Sequence, residues 1–203
     1  MTIVAFDVDG VLADFDSSVS KRLGIDLREK RTDFDTTVDY GEEVHRAIGR
    51  LLRDPSFWVS LKPMLGARQQ IKRLRDADFK LRFYSSLPYH FEALRRWWLW
   101  NNLKAASGVD KVYLRAVRHA IKGEFIVEDR PGGVGVDYYI DDRADTVLTV
   151  AAGGIMGYVH PAPWNKTWVA YNGQEYTTYA NGNFLQVATV EQFVDRILED
   201  LSV

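Results

Sequence analysis

Three short apolar runs in this chain each stop abruptly on side chains that can do chemistry. Ile3-Val4-Ala5-Phe6 runs into Asp7-Val8-Asp9-Gly10, Leu81-Arg82-Phe83-Tyr84 into Ser85-Ser86, and Tyr138-Tyr139-Ile140 into Asp141-Asp142. Contiguous apolar runs of this length predict buried strands. The segments between them have helical character. Val44, Ile48, Leu51 and Leu52 recur at helical spacing until Asp54-Pro55 breaks the pattern, and Met64 to Arg75 reads as a second helix. A third, dense in aromatics, runs from Pro88 to about Leu103, and a fourth leads to Gly153-Gly154. Strands alternating with helices predict an α/β fold, a parallel sheet covered on both faces. Ligands of such sheets sit beyond the carboxyl ends of the strands. The three polar endings are therefore expected to converge in one crevice.

The rest of the chain fits this frame. Lys111 to Leu114 and Ile155 to Val159 are further strand candidates. Residues 115–135, with Pro131-Gly132-Gly133, give no readable period. Trp168 to Tyr179 alternates around Asn172-Gly173, which predicts a C-terminal β-hairpin with a type I′ turn. The last helix is expected from near Thr189, with Gln192 at capping-box spacing and Val190, Phe193, Val194, Ile197, Leu198 and Leu201 as its apolar face. No internal repeat or low-complexity tract interrupts the pattern.

The 203 residues are enough for one domain and a sizeable core, and 46% apolar with 27% charged residues is ordinary for a globular chain. A net charge of -2 argues against a dedicated nucleic-acid coat or a polybasic membrane binder. With no cysteine, disulfides, thiol catalysis and Cys-zinc sites are excluded. No stretch approaches the ~18 apolar residues of a membrane span, and no basic segment followed by an apolar run opens the chain. The expectation is a soluble cytoplasmic protein with a small-molecule partner, no nucleic acid and no membrane, and with room for a homodimer.

Several carboxylates in one crevice repel each other, and a divalent cation removes that penalty. An oxygen-only, Asp-rich set suits Mg²⁺ sharing its shell with a phosphate. Zinc is a poor second choice, because the histidines are not grouped with the carboxylates. Within such a site one carboxylate can attack phosphorus and a second can protonate the leaving oxygen and then activate water. A hydroxyl and a lysine can hold the phosphoryl oxygens.

Asp7 to Asp14, DVDGVLAD, resembles the first signature of the haloacid-dehalogenase-like (HAD) phosphohydrolases, D-x-D-G at the end of the first strand. The resemblance implies Asp7 as nucleophile and Asp9 as general acid/base, with Asp9 also lending a main-chain carbonyl to the metal. LRFYSS resembles the second signature and IDDR the fourth. They imply Ser85 and Ser86, with Gly10 and a lysine, as phosphate-binding residues, and Asp141 and Asp142 beside Asp7 and Asp9 as ligands of Mg²⁺. The branch most similar is that of the 5′(3′)-deoxyribonucleotidases and their phage and bacterial relatives. DGVLADF through Phe15, the segment Phe57 to Ala67, and His160-Pro161-Ala162-Pro163-Trp164-Asn165 carry that likeness. It implies a Rossmann-like core over residues 1–14 and 61–203, a small helical cap over 15–60, and hydrolysis of (deoxy)nucleoside 5′-monophosphates. Phe15, Phe34, Tyr40 and Trp58 are the candidates for stacking on the base, with Phe57 as another.

Several alternatives stand beside this reading. The third-signature lysine is assigned to Lys122, with Lys111 and Arg118 as rivals. Glu128-Asp129 mimics the fourth signature, but the distance onward to Pro163-Trp164-Asn165 favours Asp141-Asp142. The same chemistry on a sugar phosphate, or a binding protein that kept the fold without turnover, are the competing functions. Asp9 argues against dehalogenases and ATPases of the family, which lack that aspartate. Trp97, Trp98 and Trp100 read as a core or interface face of an arginine-bearing amphipathic helix, rather than as a nucleic-acid platform. His45, His90, His119 and His160 are isolated and read as surface or core histidines.

Overall fold

Alternation of side chains across one strand organises the molecule. In β1 (Ile3–Asp7) five consecutive residues are buried. Val4 and Phe6 point to one face and join Leu81, Phe83, Leu99 and Phe193, while Ile3 and Ala5 point to the other and join Tyr84, Ile126, Tyr139 and Val150. Phe6 stacks on Phe83 at 5.9 Å and meets the edge of Phe193 at 5.5 Å. The computed structural model describes residues 2–27, 31–33, 35–87, 89–105, 111–114, 119–129, 135–165 and 183–200. Phe34, Arg118 and the hairpin expected over 168–179 lie outside the described residues.

Six parallel strands form one sheet in the order β3-β2-β1-β4-β5-β6. Besides β1 these are β2 (Lys80–Ser85), β3 (Lys111–Leu114), β4 (Tyr138–Asp141), β5 (Met156–Val159) and β6 (Phe184–Gln186). β1 lies between β2 and β4, with Phe6 opposite Phe83 on one side and Ile140 on the other. The strand order reverses at β1, so the crevice of this sheet opens at the carboxyl end of β1. β6 was not anticipated: three residues are too few to show a period.

The chain leaves the sheet after β1 and returns to the same point. Asp14 N–H donates to the Lys62 carbonyl and Met64 N–H to the Leu12 carbonyl, both at 2.8 Å. Between these contacts lie α1 (Phe15–Leu23), α2 (Thr36–Leu51) and α3 (Pro55–Ser60). Asp54 caps α3 through Ser56 N–H, with Pro55 in the first turn, where its missing N–H is harmless. Then come α4 (Ala67–Asp76), α5 (Glu92–Leu103), α6 (His119–Glu128), α7 (Ala144–Ala152) and α8 (Val190–Asp200). The helix α6 falls in the unreadable stretch. It packs so closely on α7 that a Cβ at Gly123 would lie 2.6 Å from Thr149, and its apolar residues therefore do not keep to one stripe. At α8 the cap is formed by Thr189 Oγ1 accepting from Gln192 N–H at 3.1 Å, and Gln192 Oε1 accepts from Ala188 N–H, one residue before the expected partner. Among the described residues no helix is long and apolar enough to cross a membrane.

Candidate active site

The carboxyl ends of β1 and β4 bring Asp7 and Asp141 side by side, and α6 adds Lys122 from its first turn. Lys122 Nζ donates to Asp7 Oδ1 and, at 2.8 Å, to Asp141 Oδ2. Tyr139 O–H donates to that same Asp141 oxygen, while Asp141 Oδ1 accepts from Arg143 N–H at 2.9 Å. Asp142 completes the group. Its side chain presses on Gly10, where a Cβ would come within 2.1 Å of Asp142 Oδ2, and Gly10 adopts a left-handed φ of +88°. Only glycine fits there. The main chain of Asp142 is clamped by the loop after β5: its carbonyl accepts from Asn165 Nδ2 at 2.7 Å and from Trp164 Nε1 at 3.3 Å.

Burial sets the electrostatics. It pushes the Asp7 carboxyl up to about 8, opposed by Lys122 and reinforced by the charges of Asp141 and Asp9. Burial, with Asp141 and Asp7 beside it, also holds Asp142 well above the usual carboxylate range. Burial acts the same way on Asp141, but Lys122, Tyr139 and Arg143 N–H outweigh it and keep that group low. Burial opposes the charge on Lys122, and Asp141 and Asp7 overcome it. One ammonium thus faces three buried carboxylates. Asp7, Asp141 and Asp142 each offer an oxygen, all within 4.8 Å of one another. The donor set is oxygen only and short of positive charge, and it fits a hard divalent cation.

Asp9 turns its carboxylate away from this trio. Ser85 Oγ donates to Asp9 Oδ2 at 2.9 Å, and Arg95 Nη2 lies 2.8 Å from both Asp9 oxygens. Arg95 was not singled out from sequence. The available signal was its place on the buried face of α5, with Trp98 at i+3 and Leu99 at i+4, a position that ordinarily carries an apolar side chain.

A cavity of about 680 Å³ opens above these groups. Asp7, Asp9, Lys122, Asp141 and Asp142 line it, together with the apolar Phe15, Leu27, Ile48, Leu52, Trp58 and Leu87 and the polar Asp16, Arg31, Asp35, Thr36 and His45. Arg31 lies over the Trp164 ring at 4.0 Å and pairs with Asp16 at 2.8 Å, joining the 15–60 segment to the loop after β5. Most of the residues expected at the site meet here, with three differences. Ser86 lines the cavity, whereas the Ser85 hydroxyl is engaged by Asp9. Gly10 N–H donates to the Ala13 carbonyl at 3.0 Å, so the site requires its missing side chain rather than its amide. Tyr40 is not among the lining residues, and its hydroxyl donates to the Asp26 carbonyl at 2.7 Å. Of the rival groups, Lys111 begins β3 opposite Arg82, away from the strand ends that carry the site. Asp129 is not among the lining residues and is held by Arg82 and by Tyr84 O–H, the latter at 2.9 Å.

Sheet order, the aspartates at the tip of β1 and the helical excursion that follows them are those of a HAD-like fold. No family model matches the chain. A curated protein of Bordetella pertussis named "Putative 5′(3′)-deoxyribonucleotidase" is 25% identical over 139 residues, spanning 64% of this chain and 74% of that protein. Among solved structures, a "predicted phosphatase" from Clostridium acetobutylicum superposes with a TM-score of 0.63 at 17% identity, covering 98% of each chain. The D,D-heptose 1,7-bisphosphate phosphatase of B. bronchiseptica, solved with magnesium and phosphate, gives 0.59 at 14% identity over 98% of this chain and 99% of its own. These likenesses establish the HAD-like fold.

Proposed function

We propose that the chain is a Mg²⁺-dependent phosphatase that hydrolyses nucleoside 5′-monophosphates through an aspartyl-phosphate on Asp7. The observation that carries this reading is the cavity itself. It combines a buried Asp7–Asp141–Asp142 cluster and Lys122 with apolar, partly aromatic lining residues. A phosphoryl group suits the cluster and a flat heterocycle the apolar lining.

Asp7 is the nucleophile, held toward the cavity by Lys122, whose one remaining N–H faces the phosphoryl oxygens. Ser86 supplies a hydroxyl to the same oxygens, with Ser85 behind it on Asp9. Asp9 gives its proton to the leaving 5′-oxygen, then takes one from the water that releases phosphate from Asp7. Asp7, Asp141, Asp142 and the Asp9 main-chain carbonyl would hold Mg²⁺, which would supply positive charge beside the phosphoryl group. Residues 15–60 act as a cap over the core of 1–14 and 61–203, with Phe15 and Trp58 against the base. A second reading, a sugar phosphate as substrate, is favoured by the likeness to a heptose bisphosphate phosphatase.

The test is phosphate release by the purified chain from a panel of nucleoside and sugar monophosphates, with Mg²⁺ or with EDTA. Release from nucleoside 5′-monophosphates in Mg²⁺ and none in EDTA is the expected result. Release from sugar phosphates alone selects the second reading. No release from any member would make the chain a binding protein.

A further inference from the structure

Arg95 is a poor choice for stability. Its side chain is 1% exposed, yet only Nη2 has a hydrogen-bond partner, and Nε and Nη1 are buried with none. Buried guanidinium N–H groups without acceptors are costly, and an apolar side chain of similar volume ordinarily serves such a position better. Two indoles hold it. The Arg95 Cζ lies 5.3 Å from the Trp58 ring centroid and 5.7 Å from that of Trp98, within cation–π range. Both rings are themselves pinned, Trp98 Nε1 to the Leu61 carbonyl at 2.8 Å and Trp58 Nε1 to the Leu52 carbonyl at 2.9 Å. The guanidinium is thus a stiff peg with one engaged end, and that end holds both oxygens of Asp9.

We infer that Arg95 is a positioning residue for Asp9, fixing the carboxyl group that exchanges protons with the leaving oxygen and the attacking water. The inference rests on the phosphatase reading above. Local rules are broken where function requires it, and here an arginine occupies the apolar face of α5 to aim one carboxylate. Ser85 fixes one oxygen of Asp9 from the side, and Arg95 spans both. Trp58 also lines the cavity, so the group that holds Arg95 is in contact with the space where substrate would lie.

The test compares wild type, Asp9→Asn, Arg95→Met and Arg95→Lys on a nucleoside 5′-monophosphate and on p-nitrophenyl phosphate, whose leaving group needs no proton. Arg95→Met is expected to lower kcat on the nucleotide by about 100-fold, the scale of general acid–base catalysis, with KM changed less than about 3-fold. On p-nitrophenyl phosphate it should release one nitrophenolate per enzyme in a burst and then turn over slowly, as Asp9→Asn should. Arg95→Lys keeps the cation without the planar guanidinium that the two indoles hold and should recover part of kcat. It carries the test if the Met variant does not fold. Wild-type kcat in both Arg95 variants overturns the inference alone. So does a folded Arg95→Met chain that gives no burst while Asp9→Asn gives one. A wild-type chain that hydrolyses neither substrate, or an Asp9→Asn variant of full activity, overturns the phosphatase reading instead.

Discussion

Lys122 Nζ bridges the carboxylates of Asp7 and Asp141, residues that reach it from the tips of two neighbouring strands. It is the ammonium that offsets three buried acids. Removing one partner of a buried pair typically costs about 3–5 kcal/mol. Lys122→Met should therefore lower the melting temperature in EDTA, and Mg²⁺ should restore part of the loss. Phosphate release should fall at least ~100-fold. Unchanged melting in EDTA would show that Lys122 does not compensate the cluster.

Metal removal should give stability a distinctive pH dependence. The Asp7 pKa rises from 3.8 to about 8 on folding, chiefly through burial. A carboxyl with a raised pKa contributes most below its unfolded value, and its contribution fades as pH rises through the folded value. In EDTA, wild type should lose stability relative to Asp7→Asn between pH 4 and 8. In a chain of this size each 1 kcal/mol lost lowers the melting temperature by roughly 2–4 °C. Mg²⁺ should abolish the difference or reverse it. Asp7→Asn should also end turnover while the chain stays folded. Full activity in that variant would remove Asp7 as nucleophile.

Gly10 is predicted to tolerate no side chain. Gly10→Ala places a Cβ 2.1 Å from Asp142 Oδ2 at a φ of +88°. The left-handed strain alone is worth about 1–3 kcal/mol, and relief of the clash must displace Asp142. Thermal melting should show the destabilisation, and titration calorimetry should show weakened Mg²⁺ binding. Wild-type Mg²⁺ affinity would mean that Asp142 can move without consequence for the metal.

These contacts explain what could be read from the chain and what could not. The strand tips were legible because buried parallel strands are contiguous apolar runs, so Asp7, Ser85 and Asp141 stand out where the runs end. The helix α6 was not, because Gly123 packs on α7 while Phe125, Ile126 and Val127 join the sheet core, so its apolar residues follow no single stripe, and β6 was too short to show a period. Arg95 was hidden for a different reason: an arginine on an amphipathic helix reads as a solvated face, and only the fold shows this one to be turned inward onto Asp9. Gly10 lines the cavity and Tyr40 does not, and their polar groups are engaged by Ala13 and Asp26.

Tyr139 supports Asp141 from below. Its hydroxyl and Lys122 share Asp141 Oδ2, leaving the carboxylate little freedom to rotate. Tyr139→Phe keeps the ring within the core and removes only the donor. Loss of a partner that orients a metal ligand commonly costs about 10–100-fold in affinity or activity. The apparent Mg²⁺ affinity, from calorimetry and from the metal dependence of turnover, should weaken about 10-fold with melting nearly unchanged in EDTA. An unaltered affinity would show that Lys122 and Arg143 N–H suffice to hold Asp141.

His160 follows β5, and its N–H donates to the Asp141 carbonyl at 2.9 Å. Its ring is buried, Nδ1 has no hydrogen-bond partner, and burial lowers its pKa from 6.5 to about 4. The folded chain therefore keeps this imidazole neutral at pH values where the unfolded chain protonates it. A proton bound only by the unfolded state lowers stability as pH falls, so the loss sets in below pH 6.5 and is complete near pH 4. Its full size is about 3 kcal/mol. His160→Gln carries no titrating group, and its unfolding free energy in denaturant should vary less with pH between 4 and 6.5 than that of wild type. Parallel curves for the two proteins would mean that the imidazole is protonated within the fold.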